Sequence, residues 1–263
     1  MKPKLKCLRL YALLTVVTLL SLCVSIPVHA TDSPLAELYF YNHSAIGGLS
    51  ALNTTSYASQ AEGSIDNAGY NCYSYTNVQA GPASSSSVVR TLDDDAVFFI
   101  NAHGGNGRVV CVDNNSNVTR VSAKKVTSDS SVYSLEYNFE NTTDQLKTLK
   151  IAYWMGCNTY GTSSTYGSLN SKCTSLGVDC SITHNDNIWA PYCSYFQYRF
   201  AYYSDQGNNV STALVNAKSS CYSYFSTSPG SISELDRTVN SYVTSGPTGY
   251  SSVSMEPAGY GSY

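Results

Sequence analysis

The sequence predicts an α/β protein, a three-layer α/β/α sandwich around a mostly parallel central sheet with a small β-hairpin attached. Three observations carry that prediction. Two apolar runs, Val97-Phe98-Phe99-Ile100-Asn101-Ala102 and Ile151-Ala152-Tyr153-Trp154-Met155, are rich in β-branched and aromatic residues over a length that suits strands covered on both faces. Each run stops at a glycine beside one reactive side chain, in His103-Gly104-Gly105 and in Gly156-Cys157. Strand-like and helix-like segments also alternate along most of the chain, as βαβ units do.

Taken in order, residues 1–30 read as a signal peptide. Lys2, Lys4, Lys6 and Arg9 precede an apolar core from Leu10 to Ile26, and Val28-His29-Ala30 offers a small-residue cleavage site before Thr31. Leu35 to Tyr41 is apolar and aromatic enough for a first strand. Ala45 to Ala68 has helical spacing through Leu49, Leu52, Tyr57, Ala61 and Ile65, weakened by Gly47 and Gly48. Tyr70 to Tyr75 alternates in the strand period, and Ser84 to Leu92 reads as a short helix closed by a solvated Asp93-Asp94-Asp95 turn. After the first central strand and His103, the run Gly104-Gly105-Asn106-Gly107 is turn chemistry. Arg108 to Val112 and Val118 to Val121 then make a hairpin beside the sheet.

Residues 123–147 give no clear period. Beyond the second central strand, Ser168 to Leu176 is helical and Gly177 ends it. Val178 to Thr183 is another strand, and Tyr192 to Tyr203 is a buried aromatic helix. Asn209 to Tyr224 is a further helix, with Val210, Leu214, Ala217 and Cys221 on one face and Asn209 or Ser211 as its cap. The domain is thereby placed at 31–245, followed by a flexible C-terminal tail over 246–263 that is rich in Ser, Gly, Tyr and Pro.

Removing the leader leaves eleven basic against eighteen acidic residues, a net charge of −7, with no basic patch. That excludes a nucleic-acid surface. No later apolar run is long enough to cross a bilayer, so no stable membrane insertion is expected after cleavage. The expected location is extracellular. Asn42, Asn53, Asn114, Asn117, Asn141 and Asn209 head N-x-[ST] triplets, consistent with a glycoprotein. Seven cysteines remain: Cys72, Cys111, Cys157, Cys173, Cys180, Cys193 and Cys221. An oxidising compartment favours three bridges and leaves one thiol over, expected to be Cys157.

The chemistry lies at the two strand ends. An imidazole beside a thiol takes its proton, and the thiolate attacks a carbonyl carbon at neutral pH. Acyl transfer also needs donors for the developing oxyanion. Gly104 and Gly105 let backbone approach a substrate closely, and Cys157 N–H offers a further donor. His43 and His184 are the other histidines of the mature chain, and His184, at another strand end, is the main rival to His103.

The order of an apolar strand ending in His-Gly (Phe98 to Gly104), then a later one ending in Cys (Ile151 to Cys157, followed by Asn158-Thr159), resembles the caspase–hemoglobinase superfamily of cysteine peptidases. That superfamily includes caspases, legumain, gingipains and bacterial CHAT domains. Ala213-Leu214-Val215-Asn216-Ala217 and Gly69-Tyr70-Asn71 extend the likeness over roughly residues 35–225. The caspase signature Q-A-C-[RQG]-G is missing at Met155-Gly156-Cys157-Asn158-Thr159.

The resemblance implies a protein or peptide substrate, a His103/Cys157 dyad, and an oxyanion hole from Gly104 and Cys157 N–H. It implies neither cofactor nor metal. Asp186 is placed to line a substrate pocket for a basic side chain, or else caps its own loop. Three functions remain open at this stage: a secreted cysteine endopeptidase working through a thioester acyl-enzyme, an inactive binding or surface-interaction module on the same scaffold, and a cell-wall peptide amidase. Oligomeric state is not legible.

Overall fold

Alternation builds the centre of this fold. In the computed structural model, Val97, Phe99, Ile151, Tyr153 and Met155 pack in one core, while Phe98, Ile100, Ala152 and Trp154 join a second core on the opposite face. Period-two side chains do this when a strand is covered on both sides. The structure describes residues 33–76, 85–113, 115–139, 145–227, 231–247 and 250–255. The expected leader, Asn114, Asn141 and the end of the tail lie outside these residues.

In chain order the elements are β1 (Leu35–Phe40), α1 (Ala58–Asn67), β2 (Asn71–Tyr75), α2 (Ser85–Arg90), β3 (Asp95–Asn101), β4 (His103–Gly105), β5 (Arg108–Val112), β6 (Val118–Ser122), β7 (Val132–Ser134), α3 (Leu135–Asn138), β8 (Ile151–Met155), α4 (Leu169–Ser175), β9 (Cys180–His184), α5 (Ala190–Asp205), α6 (Val210–Phe225), α7 (Ile232–Asn240) and β10 (Tyr242–Ser245). The central sheet runs β10-β9-β8-β3-β1-β2. Its pairings are parallel except for β9 with β10. Residues of α1, α5, α6 and α7 cover one face; the other is covered by α2, α3, α4 and a small second sheet, β4-β5-β6-β7. The predicted sandwich is therefore present. The hairpin has grown into a four-stranded sheet because Val132–Ser134, in the stretch without a period, pairs in parallel with β6.

The chain leaves β1 toward β2 on one side, then returns to β3 and proceeds through β8 to β9 on the other. This reversal makes a crevice beyond the carboxyl ends of β1 and β3, where ligands gather in open α/β sheets. The register Met155↔Asn101 and Phe40↔Asn101 levels these three strands, so the segments that follow them emerge side by side.

Several expectations need correction. The helix expected from Ala45 begins only at Ala58, because Gly47 and Gly48 hold φ of 55° and 81° and turn the chain back. Instead, Asn42–His43 pairs with Leu52–Asn53 as a short antiparallel ladder. Asp95 is not in a solvated turn: it begins β3 and is 1% exposed, with neither carboxylate oxygen partnered. The helix α7 and the edge strand β10 were not read from the sequence. The start of the supposed tail docks, with Met255 buried, its carbonyl bonded by Tyr70 Oη, and Val253 carbonyl accepting from Val210 N–H. The seven cysteines from Cys72 to Cys221 are free thiols, so the three expected disulfides are absent. Cys111 and Cys173 belong to the core on one face of the sheet, and Cys180, Cys193 and Cys221 to the core on the other. They act as small apolar core side chains.

Candidate active site

His103 follows β3 by two residues and Cys157 follows β8 by two, and β3 and β8 are hydrogen-bonded neighbours. Both side chains line one cavity of about 360 Å³. Its walls come from the segments after four strands: Ser50 to Leu52 after β1, Asn101 to His103 after β3, Cys157 after β8, and Ile188 to Pro191 with Cys193 after β9. The odd-cysteine argument that singled out Cys157 fails, since all the cysteines are free. What distinguishes Cys157 is that it is both half-buried and at this cavity: Cys193 also lines it but is buried, Cys72 is half-buried but packs against the core elsewhere, and Cys111, Cys173, Cys180 and Cys221 are buried in the cores.

The His103 ring is oriented from behind. Its Nε2 lies 2.9 Å from Ser50 carbonyl oxygen, an acceptor that fixes the proton on Nε2 and leaves Nδ1 as a base. Burial lowers the His103 pKa below the usual histidine value; the His43 imidazole lowers it too, while the Ser50 carbonyl opposes both. His43 is the neighbour that sequence reasoning missed: its ring centroid is 5.4 Å from that of His103. The small Asn42–His43 ladder brings it there, and nothing in the local sequence signals such a pairing.

Cys157 Sγ accepts a hydrogen bond from Ile188 N–H at 3.3 Å and lies 3.4 Å from Ile188 carbonyl oxygen. No hydrogen bond joins it to His103 among the described residues. The loop that carries it is tied down on two sides. Asn158 N–H donates to Asp186 carbonyl oxygen at 3.0 Å, and Gly107 N–H donates to Asn158 carbonyl oxygen at 3.0 Å. Thr159 Oγ1, fully buried, donates to Trp154 carbonyl oxygen at 2.8 Å and accepts from His184 N–H at 2.9 Å. Thr159 thus locks the turn after β8 to the end of β9, a role with no sequence signature.

The two glycines are required by close approach. A Cβ on Gly104 would lie 2.5 Å from Cys157 carbonyl oxygen and 2.9 Å from Cys157 nitrogen; one on Gly156 would lie 2.8 Å from Ala102 carbonyl oxygen. The turn Asn106-Gly107 has φ of 52° and 77°, the left-handed pair of a two-residue hairpin, so Gly105 and Arg108 form the hydrogen-bonded pair that closes it. Ladder alternation makes Gly104 and Val109 the non-hydrogen-bonded pair, and Gly104 N–H points away from β5. Its nitrogen is 3.2 Å from the position a Gly156 Cβ would take, so it faces the turn before Cys157. Cys157 N–H has no acceptor among the described residues.

The other sequence candidates fall elsewhere. His184 is fully buried, its Nε2 is 3.2 Å from Tyr153 Oη and its Nδ1 2.9 Å from Ser241 Oγ, and burial takes its pKa down to about 3. It is a core residue. Asp186 Oδ1 caps Asn187 N–H at 2.7 Å, the loop-capping alternative, and Asp186 is not among the residues lining the cavity. Among the described residues no cluster of three or more His, Cys, Asp or Glu could hold a metal ion, and no helix is long and apolar enough to cross a membrane.

No protein-family model and no curated protein matches this sequence. Among solved structures the chain is similar to the Arg specific cysteine proteinase gingipain R, at 10% identity and a TM-score of 0.49, over 84% of this chain but only 46% of that one. It is also similar to pro-sf-caspase-1, at 12% identity and a TM-score of 0.42, over 79% of this chain and 88% of that one.

Proposed function

We propose that this chain is a secreted cysteine endopeptidase that cleaves peptide bonds with His103 as general base and Cys157 as nucleophile. The observation that carries the proposal is the shared cavity: an oriented imidazole and an unbridged thiol open onto one space at the carboxyl ends of adjacent strands. With its Nε2 proton held on Ser50, His103 takes the thiol proton at Nδ1. The thiol turns from Ile188 carbonyl toward the imidazole as substrate binds; catalytic hydrogen bonds are often unformed before substrate arrives. Sγ then bonds the scissile carbonyl carbon, and Gly104 and Cys157 N–H receive the oxyanion. The imidazolium gives its proton to the leaving amine, the C–N bond breaks, and a thioester remains. Water, deprotonated by His103, attacks the thioester and releases the acid and the thiol.

Cys157→Ala and His103→Ala are each expected to lower kcat/KM on a cleaved peptide by about a thousandfold or more. Iodoacetamide is expected to alkylate Cys157 rapidly in the native chain and slowly in His103→Ala, read by mass spectrometry. The bond from Cys157 to Ile188 favours one second reading, an inactive module in which the thiol never meets the imidazole. Labelling of Cys157 at equal rates with and without His103, with no turnover of any peptide, establishes that reading instead. Export is part of the proposal: secreted protein is expected to begin at Thr31, and glycan is expected at exposed Asn42 and Asn53.

A further inference from the structure

Leu52, Ile188, Trp189 and Pro191 give the cavity that holds His103 and Cys157 apolar walls, and among the described residues no Asp, Glu, Lys or Arg lines it. Two ionic groups on the flanking elements are turned to other work. Arg237 of α7 lays its guanidinium over the Trp189 ring, 4.6 Å from the centroid, and Asp186 caps Asn187. The buried polar group on the lining is Asn101, which is 2% exposed. Its Nδ2 is spent on Gln197 Oε1 at 3.2 Å and Met155 Sδ at 3.3 Å. Its backbone carbonyl accepts from Thr54 Oγ1 at 3.0 Å and from Tyr41 N–H at 3.2 Å, so the residue is fixed at both ends. Its Oδ1 accepts from no described residue. Asn101 thus adds a fixed neutral polar group, with an uncommitted acceptor, to the lining of an apolar-walled space.

We propose that this cavity seats the substrate side chain just before the scissile bond, that it selects an uncharged side chain there, and that Asn101 determines the choice. The inference rests on the peptidase reading of His103 and Cys157 and adds the substrate class. A charged side chain would leave water for walls that return no counter-ion, which is costly. An apolar or hydroxyl-bearing one loses little and is met by Asn101 Oδ1 or by the apolar walls.

The test uses the purified full chain and fluorogenic tetrapeptides that differ only in the residue before the cut: Leu, Thr, Asp or Arg. Cys157 alkylation by iodoacetamide is run beside them, with and without His103→Ala. Leu and Thr substrates are expected to exceed Asp and Arg substrates by at least about tenfold in kcat/KM. If alkylation depends on His103 but the Arg or Asp peptide is turned over best, the selectivity inference is overturned and the peptidase reading stands. If no peptide is turned over and alkylation ignores His103, both fall.

Asn101→Asp puts an anion on the cavity lining and is expected to raise the Arg-to-Leu ratio by at least about tenfold. Ala51→Asp, on the exposed loop that forms the wall after β1, is expected to raise it by about threefold and does not disturb the Asn101–Gln197 pair. An unchanged ratio in a folded Asn101→Asp protein overturns the role of Asn101. If that variant fails to fold, an unchanged ratio in Ala51→Asp overturns the cavity as the selecting site.

Discussion

The protonation of His103 is set by what surrounds it. Burial and the His43 ring both favour the neutral imidazole, and Ser50 carbonyl chooses which nitrogen keeps the proton. Neutral is the form that accepts a thiol proton, so activity should persist as pH falls below the ordinary histidine value. The acid limb of kcat/KM is expected below pH 6.5, the unshifted value, and His43→Phe should move it upward, since a charge-bearing neighbour is lost. A limb at or above pH 6.5 in the native chain would contradict the environment described. Gly104 is the complementary case, where the backbone rather than the side chain is used. Gly104→Ala forces a methyl within 2.5 Å of Cys157 carbonyl oxygen, a backbone atom that cannot swing away. The expected cost is about 1–3 kcal/mol of stability, with activity lost more steeply than the melting temperature because donor and thiol shift together. Thermal denaturation and kcat/KM on the same preparation check this.

At the scale of elements, how much was legible depended on whether the chain was speaking locally. β3 and β8 were readable because a strand covered on both faces must be apolar at every position, and Val97 to Ile100 and Ile151 to Met155 are. The helix α6 was readable for a different reason: its apolar spacing is regular, and Asn209 does cap it, its side chain accepting Thr212 N–H at 2.9 Å. Asn209→Ala is expected to cost about 1 kcal/mol by chemical denaturation, while peptide turnover by the folded protein stays unchanged. The edge strand β10 has the weakest local signal, Tyr242-Val243-Thr244-Ser245, half-buried throughout, and exists because β9 offers it a partner. The ladder of Asn42–His43 with Leu52–Asn53 is likewise a tertiary event, and it brings both His43 and Ser50 to His103. Thus the two side chains of the proposed dyad were visible in the sequence, whereas the groups packed around them were not. Those groups are a backbone carbonyl, a second ring and a buried threonine, whose roles follow from who their neighbours are.

Across the whole molecule, two buried titratable groups that are not among the residues lining the cavity make opposite demands on pH. His184 is neutral in its core site, with a pKa down at about 3 against 6.5 when unfolded, so the unfolded chain binds more protons between those values. Its contribution to stability is complete above pH 6.5 and is lost as pH falls toward 3. Asp95 runs the other way. Burial, then the nearby Glu37, Asp94 and Asp93 carboxylates, raise its pKa from 3.8 to about 9, and neither oxygen has a partner to repay ionisation. The folded chain therefore holds a proton that the unfolded chain has released, and this contribution is complete below pH 3.8 and lost as pH rises toward 9. The two slopes oppose each other between pH 3.8 and 6.5, so stability from these groups is expected to be flat there. It should fall by about 1 kcal/mol from pH 3.8 to 3 and by about 3 kcal/mol from pH 6.5 to 9, at about 1.4 kcal/mol per unit of pH. Urea denaturation across pH 3 to 9 reads the profile directly. Asp95→Asn removes the ionisable group while keeping its size, and should flatten the alkaline fall and stabilise the protein at pH 8. His184→Phe should remove the acid fall and the plateau together, leaving stability to fall from pH 3.8 toward 9 through Asp95, and should lower stability because Tyr153 and Ser241 lose a partner. If Asp95→Asn leaves the alkaline limb as steep as before, that carboxyl is ionised in the folded chain and the burial argument for it is wrong. The plateau expected here lies on the acid side of neutrality, and the lowered His103 pKa extends its base form below pH 6.5, so the range that protects the fold and the range in which the proposed dyad works meet at the upper end of that plateau.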